Sequence, residues 1–357
     1  MKTNFVKPSI KLLSTLLIIA LLITTMPLTV FAAGVDFAQL ETIPAAAWVN
    51  GNLNGNNSYY VEGMSTPQRV IVSGIDPAVT DHSVTLSYQF TKSGKYAYDF
   101  LTSWDQAVAA ASAIGGKTWS DSWKWLPDTD GSKWTSHLAV DVPEDSYATA
   151  ARELLYESMY GNRTIDLYGN GTISSAAVTI NSLSGDLSAS TVIWTVSWTG
   201  TATEVMILYA GHIAVGLDFP ATGLGWGEGM GAGEISGSPY HHTLVSGSDW
   251  SGGSSKDNQM QASSIFLKSG IAGMKWHDIN GDGIRQANGA DGIAGNADDE
   301  VGLAGWTIFI DFDGDGVFDA GEPSAVTEAD GTYMLYFLLA DQKAMDVKVN
   351  EVQQTDW

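Results

Sequence analysis

The sequence contains no cysteine. Disulfides, thiol catalysis and cysteine-ligated zinc are therefore closed to it, and stability has to come from a core or from metal held through oxygen. Positive charge is scarce as well: 17 Lys and Arg stand against 40 Asp and Glu, for a formal charge of −23. A field of that sign repels polyanions, which argues against nucleic acid and anionic lipid as partners and suits a cation-loaded surface. No stretch downstream of residue 32 is apolar for long enough to cross a bilayer, so no membrane insertion is expected of the mature chain. The glycine-dense segment Gly223-Leu224-Gly225-Trp226-Gly227-Glu228-Gly229-Met230-Gly231-Ala232-Gly233 has no Gly-Lys-Ser/Thr ending and no βαβ unit around it. It reads as a tight loop between strands, not as a phosphate cradle. Triad signatures of the Gly-x-Ser-x-Gly kind beside a buried strand are unconvincing, and the carboxylates are too numerous to single out a glycosidase pair.

What the amino terminus does contain is an export signal. Lys2, Lys7 and Lys11 precede the apolar run Leu12 to Ile23, and small residues follow at Val30-Phe31-Ala32-Ala33. Ala32 falls at −1 and Val30 at −3 of a cleavage site, so residues 1–32 are expected to be a signal peptide and the mature chain to be secreted or on the cell surface. The competing reading is an uncleaved anchor. With 357 residues, 44% of them hydrophobic, the chain can bury a real core, and its length suggests two domains.

The most informative stretch is Asp311-Phe312-Asp313-Gly314-Asp315-Gly316-Val317-Phe318-Asp319-Ala320-Gly321-Glu322. Carboxylates occupy positions 1, 3, 5, 9 and 12 through Asp311, Asp313, Asp315, Asp319 and Glu322. Gly316 sits at position 6, and Val317 at position 7 offers a main-chain carbonyl. This is the ligand spacing of an EF-hand-type calcium loop, because calcium takes six to eight oxygens and alternate residues of a curled loop point inward. Without a cation, five carboxylates in twelve residues repel one another; the alternative is a solvated acidic turn. A second, imperfect copy begins at Asp278, with Asn280, Asp282, Gly283 and Ile284 at positions 3, 5, 6 and 7. Its ninth and twelfth positions are Gln286 and Gly289, so closure is expected from further along, from Asp291, Asp298, Asp299 or Glu300.

From Val35 to about Gly270 the pattern is mainly β. Arg69–Val72, Ser83–Phe90, Ala177–Ile180, Thr191–Trp198 and Glu204–Tyr209 are rich in β-branched and aromatic residues and are bounded by turn residues. This predicts a β-sandwich over residues 34–270, with helical insertions at Trp104–Ile114 and Glu144–Tyr160. Between those helices Trp119, Trp123, Trp125 and Trp134 form either a sugar-stacking platform or a cover on the core, and the cover is the better reading. His212, His241 and His242, with Asp218 or Glu234, could offer a metal or acid–base cluster, although adjacent residues on a strand point to opposite faces and only one of the pair could serve; buried or turn-stabilising histidines are the better reading. Composition changes near Gly270-Ile271. The remainder, residues 271–357, is acidic and strand-like at Gly305–Ile310, Gly331–Phe337 and Met345–Val349, and no helical pattern flanks either loop.

Residues Gly273 to Gly283, Gly302 to Ile308 and Glu328 to Tyr333 resemble the B-type repeats of serine-aspartate-repeat surface adhesins. The resemblance covers about the last quarter of the chain. It implies a small prealbumin-like, calcium-binding β-sandwich, with Asp278, Asn280 and Asp282 as ligands and an Asp330-Gly331-x-Tyr333 motif turning into a core strand. The segment Asn288 to Glu300 departs from that pattern. Residues 34–270 are similar to an uncharacterised module of large bacterial surface proteins at Ser93–Leu101, Gly211–Ala214, Ile235–His241 and Asp257–Gln259, a likeness that implies an extracellular, non-catalytic part. The chain stops within what would be the repeat's last strand region, as a fragment of a longer protein would. The expected function is a non-catalytic surface or matrix protein in which a calcium-rigidified spacer presents an adhesion module to an extracellular protein or glycan. The rival is a secreted carbohydrate-binding protein or glycoside hydrolase with an accessory calcium domain.

Overall fold

The computed structural model describes residues 33–120, 124, 131–218, 222–250, 256–266, 268–338 and 348–355. The chain is mainly β. One seven-stranded sheet runs, in spatial order, Ala47–Val49 (β2), Gly34–Glu41 (β1), Ser65–Ser73 (β5), Glu204–Ile213 (β13), Thr164–Gly169 (β10) and Ser136–Asp141 (β9), and Tyr98–Thr102 (β8) also pairs with β13. A second runs Ile173–Asp186 (β11), Ala189–Gly200 (β12), Asp81–Lys92 (β6), Tyr240–Gly247 (β14), Lys256–Met260 (β15) and Asn52–Leu53 (β3), with Lys95–Tyr96 (β7) on β6.

Burial separates the roles of the two sheets. Along β12 buried and half-buried positions alternate, the mark of a sheet with one solvated face. Along β13 every residue after Glu204 is buried, so this strand is covered on both sides. Tyr209 on one side meets Trp194 of β12, ring centroids 4.9 Å apart. On the other side lie two helices, Trp104–Gly115 (α1) and Ala150–Tyr160 (α2). Helix α1 starts at a capping box in which Ser103 and Gln106 satisfy each other's backbone N–H, and it buries Trp104, Ala107, Ala110 and Ala111. It ends at Gly116, which takes the left-handed conformation a side chain would resist.

Helix α2 begins later than the sequence pattern suggests. Residues 144–149 form a turn because the Asp145 carboxylate accepts from the backbone N–H groups of Tyr147 and Ala148, a local bond that competes with a helix. Thr149 then takes a positive φ of 64°. Once started, the helix is tied down by buried Arg163, which donates to Glu153 at 2.9 Å and to Glu157 at 3.1 Å.

Pairing changes hands late in the chain. Ile265–Phe266 (β16) joins Tyr60–Val61 (β4), and Lys268–Met274 (β17) pairs instead with Thr332–Leu338 (β20). A three-stranded sheet of Ser324–Val326 (β19), Thr307–Asp311 (β18) and Lys348–Glu351 (β21) completes the described C-terminal strands. Trp306, Ile308, Ile310 and Leu335 form their buried core. Residues 345–347 of the expected last strand lie outside the described residues.

His242 on β14 lies fully buried between the two large sheets, and burial pushes its imidazole down to about 3, with His241 a lesser cause. The unfolded chain therefore takes a proton near the ordinary histidine value that the folded chain refuses. Stability from this group is complete above about pH 6.5 and is lost as pH falls toward 3, at up to about 1.4 kcal/mol per pH unit. Urea unfolding of His242→Phe and wild type at pH 7, 5.5 and 4 is expected to show a shallower pH slope in the variant. Parallel slopes would contradict it.

Candidate metal centre

The acidic loop starts where β18 ends, so Asp311 is at once the last residue of the strand and the first of the loop. Its side chain is buried and its carboxylate is turned inward by main-chain donors: Oδ1 accepts from Gly314 N–H at 2.6 Å and Oδ2 from Gly316 N–H at 3.0 Å. Asp313 accepts from Asp315 N–H, and Asp315 from Val317 N–H. Glu322 closes the circuit, with one oxygen on Phe312 N–H at 2.8 Å and the other on Asp319 N–H at 3.0 Å. Gly314 and Gly316 both have φ of 79°, the left-handed conformation that lets the chain curl this tightly.

The upstream copy repeats this pattern bond for bond. Asp278 accepts from Gly281 and Gly283 N–H at 2.7 and 2.9 Å, Asn280 from Asp282 N–H, and Asp282 from Ile284 N–H. Gly281 and Gly283 have φ of 72° and 74°. The carboxylate on the second and ninth positions is that of Glu300: one oxygen accepts from Ile279 N–H at 3.2 Å and the other from Gln286 N–H at 2.6 Å. Glu300 therefore occupies the place that Glu322 occupies in the other loop.

The three remaining candidates for closure are used elsewhere. Asp291 accepts from Ile293 N–H, Asp298 from Ala290 N–H, and Asp299 from Gly295 and Asn296 N–H. The excursion between Gln286 and Glu300 is thus folded on its own carboxylates. Its ends meet, since Glu300 N–H returns a bond to Gln286 O at 3.1 Å.

Asp311, Asp313 and Asp315 bring carboxylate oxygens within 4.8 Å of one another, a group able to hold a metal ion. The donor set is all oxygen, which suits a hard cation. Mutual repulsion is visible at Asp319, whose carboxyl is pushed above its ordinary value by desolvation and by the charges of Asp315, Asp313, Glu322 and Asp311. Val317 and Ile284 turn their side chains into solvent, 58% and 67% exposed, so neither is anchored by its side chain in a core. Beyond the ligand spacing, the site also draws on the glycines at the fourth position, Gly281 and Gly314, and on Asn350 of β21, which donates to Asp311 Oδ2 at 2.7 Å. The glycines were visible as a repeat in both copies. Asn350 carried no local signal.

The other sequence candidates fall apart spatially. His212 is fully buried on the helix-facing side of β13, with Nδ1 2.5 Å from Asp99 Oδ1 and its ring stacked on Phe100. His242 points between the sheets, so its neighbour His241 points away from them, half-exposed and 3.7 Å from Asp257. Both sheets separate His212 from His241, so the metal or acid–base cluster does not form, and His212 and His242 are buried histidines. Asp218 is spent on the turn at Thr222 and Gly223. Trp119 is buried edge-on to Tyr60, so its ring offers no sugar platform; Trp134 is half-buried, and Trp123 and Trp125 lie outside the described residues. No protein-family model, curated protein or solved structure matches the chain.

The matched geometry generates a direct test in terbium-luminescence titrations. Glu300→Gln is expected to weaken cation uptake at the first loop by about tenfold or more, as Glu322→Gln does at the second, whereas Asp298→Asn leaves it unchanged. Deleting residues 287–297 places Asp298, Asp299 and Glu300 at positions 10 to 12 and is expected to preserve the site. Loss of uptake in the deletion, or indifference to Glu300→Gln, would refute the assignment.

Proposed function

We propose that this is an exported, non-catalytic bacterial cell-surface or matrix protein in which calcium rigidifies a C-terminal spacer and the N-terminal two-sheet unit is the part presented to an extracellular protein or glycan. In this reading each unit is a β-sandwich, the smaller one of the prealbumin-like kind. The single observation that carries the proposal is the pair of loops with the same circuit of carboxylate-to-backbone bonds. An acidic turn that only faces solvent has no need of that circuit, and its repetition eleven residues out of register at Glu300 is hard to attribute to chance.

Asp311, Asp313, Asp315, Asp319 and Glu322, with the main-chain carbonyl of Val317, would hold one calcium ion. Asp278, Asn280, Asp282, Glu300 and the carbonyl of Ile284 would hold another. The ion supplies charge neutralisation and a rigid centre. The protein supplies inward-turned carboxylates already fixed by backbone donors, so little ordering is left to binding. The loop from Asp311 to Glu322 joins β18 to β19, so an ion there would fix the angle between two strands of one sheet. The absence of cysteine fits this reading, because metal then does the cross-linking that disulfides do in other exported proteins. The rival hydrolase reading loses support with the separation of His212 from His241.

A ligand that binds only the folded state stabilises it by RT ln(1 + [L]/Kd), which is about 2.7 kcal/mol for one site at a hundredfold excess over Kd. Differential scanning calorimetry of the full chain with millimolar calcium is expected to show a transition several degrees above that seen with chelator, and Asp315→Ala to remove much of the difference. A midpoint indifferent to calcium would sink the proposal.

A further inference from the structure

Strand register lines up an unusual layer in the core between the two large sheets. In the first sheet Gln39 pairs with Gln68, and Gln68 with Tyr209, which places the three side chains in one row. In the second, Asn258 pairs with His242, and His242 with Tyr88, which makes a facing row. Asn258 Nδ2 donates to Gln68 Oε1 across the gap at 2.9 Å, so the rows belong to one layer. All six residues are at most 1% exposed. His242 is close to both aromatic members of the layer, with ring centroids 5.7 Å from Tyr209 and 6.0 Å from Tyr88. Its ring stands over Gly211, where an added Cβ would come within 2.3 Å of Nε2. Only glycine leaves room for it.

Within this layer Gln39 Oε1, Gln68 Nε2, Asn258 Oδ1, both ring nitrogens of His242 and the hydroxyls of Tyr88 and Tyr209 have no hydrogen-bond partner among the described residues. Each group left unsatisfied in a dry interior is costly, and together they would offset a large part of the net stability of an ordinary domain. The set contains donors and acceptors but no charge: the amides and hydroxyls are neutral, and burial keeps the imidazole neutral as well. It therefore matches a small neutral molecule that can both donate and accept, and it gives no counter-charge to an ion.

We propose that the layer between the two large sheets is a binding site for a cluster of ordered water, held by His242, Gln68, Asn258, Tyr88 and Tyr209. At about three hydrogen bonds per buried water, about three molecules satisfy the set. The cluster joins the facing rows where direct contact does not, and it makes a polar layer compatible with an otherwise apolar core.

The test is a crystal structure of the full chain at atomic resolution. Discrete density peaks within hydrogen-bond distance of His242, of Asn258 Oδ1 and of both tyrosine hydroxyls are the expected result. The same site in His242→Phe is expected to lose the peaks that the imidazole held; if that variant fails to fold, the wild-type map decides alone. A dry layer whose side chains pair directly with one another would overturn the proposal. So would continuous density for an organic molecule or a peak with the coordination of a metal ion.

Discussion

The two acidic loops depend on one kind of interaction, a carboxylate oxygen accepting from a backbone N–H a few residues along the chain. At Asp311 it turns the end of a strand into the start of a loop, and at Glu322 it draws the two ends of that loop together. Once these bonds are made, the remaining acidic side chains have few places to go. They face one another, and the resulting repulsion is an electrostatic deficit that a bound cation would remove. The loop is thus set by local hydrogen bonding and left electrostatically incomplete.

The N-terminal unit solves a different problem. Its first sheet is covered on both faces, by helices on one side and by the second sheet on the other, and this is why β13 reads as an unbroken buried run where β12 alternates. Two-sided cover also accounts for the histidines. His212 and His242 are fully buried on opposite sides of the first sheet, one closed off by α2 and Phe100, the other by the second sheet. Buried polar side chains at the centre of such a unit limit how the sheets can slide, because a shift of one residue would separate Asn258 from Gln68.

Much of this was legible in the sequence wherever the signal was local. The strands at Arg69–Val72, Thr191–Trp198 and Glu204–Tyr209 follow from β-branched and aromatic runs, and helix α1 from its alanines. The loop at Asp311 could be read residue by residue because all its side-chain acceptors lie within twelve positions. Glu300 could only be placed among four candidates, because the intervening residues fold on their own carboxylates and periodicity carries no information across them. The start of α2 escapes a helical pattern of apolar residues because Asp145 bonds to the backbone locally. A buried His212 was the better reading of the sequence, but its partners were not legible, because Asp99 and Phe100 of β8 and Tyr156 of α2 are all distant in sequence.

Strand β16 ends at Phe266 in a pairing with β4, and β17 begins at Lys268 in a pairing with β20. A single residue, Leu267, therefore separates a strand bonded to one set of partners from a strand bonded to another. Phe266 and Lys268 are two Cα steps of about 3.8 Å apart along the chain, so the two strand ends cannot draw more than about 7.6 Å apart without breaking a ladder. Tension along the main chain would pass from one hydrogen-bonded pair into the next across a single intervening residue. At this join the chain behaves as a coupling, not as a tether.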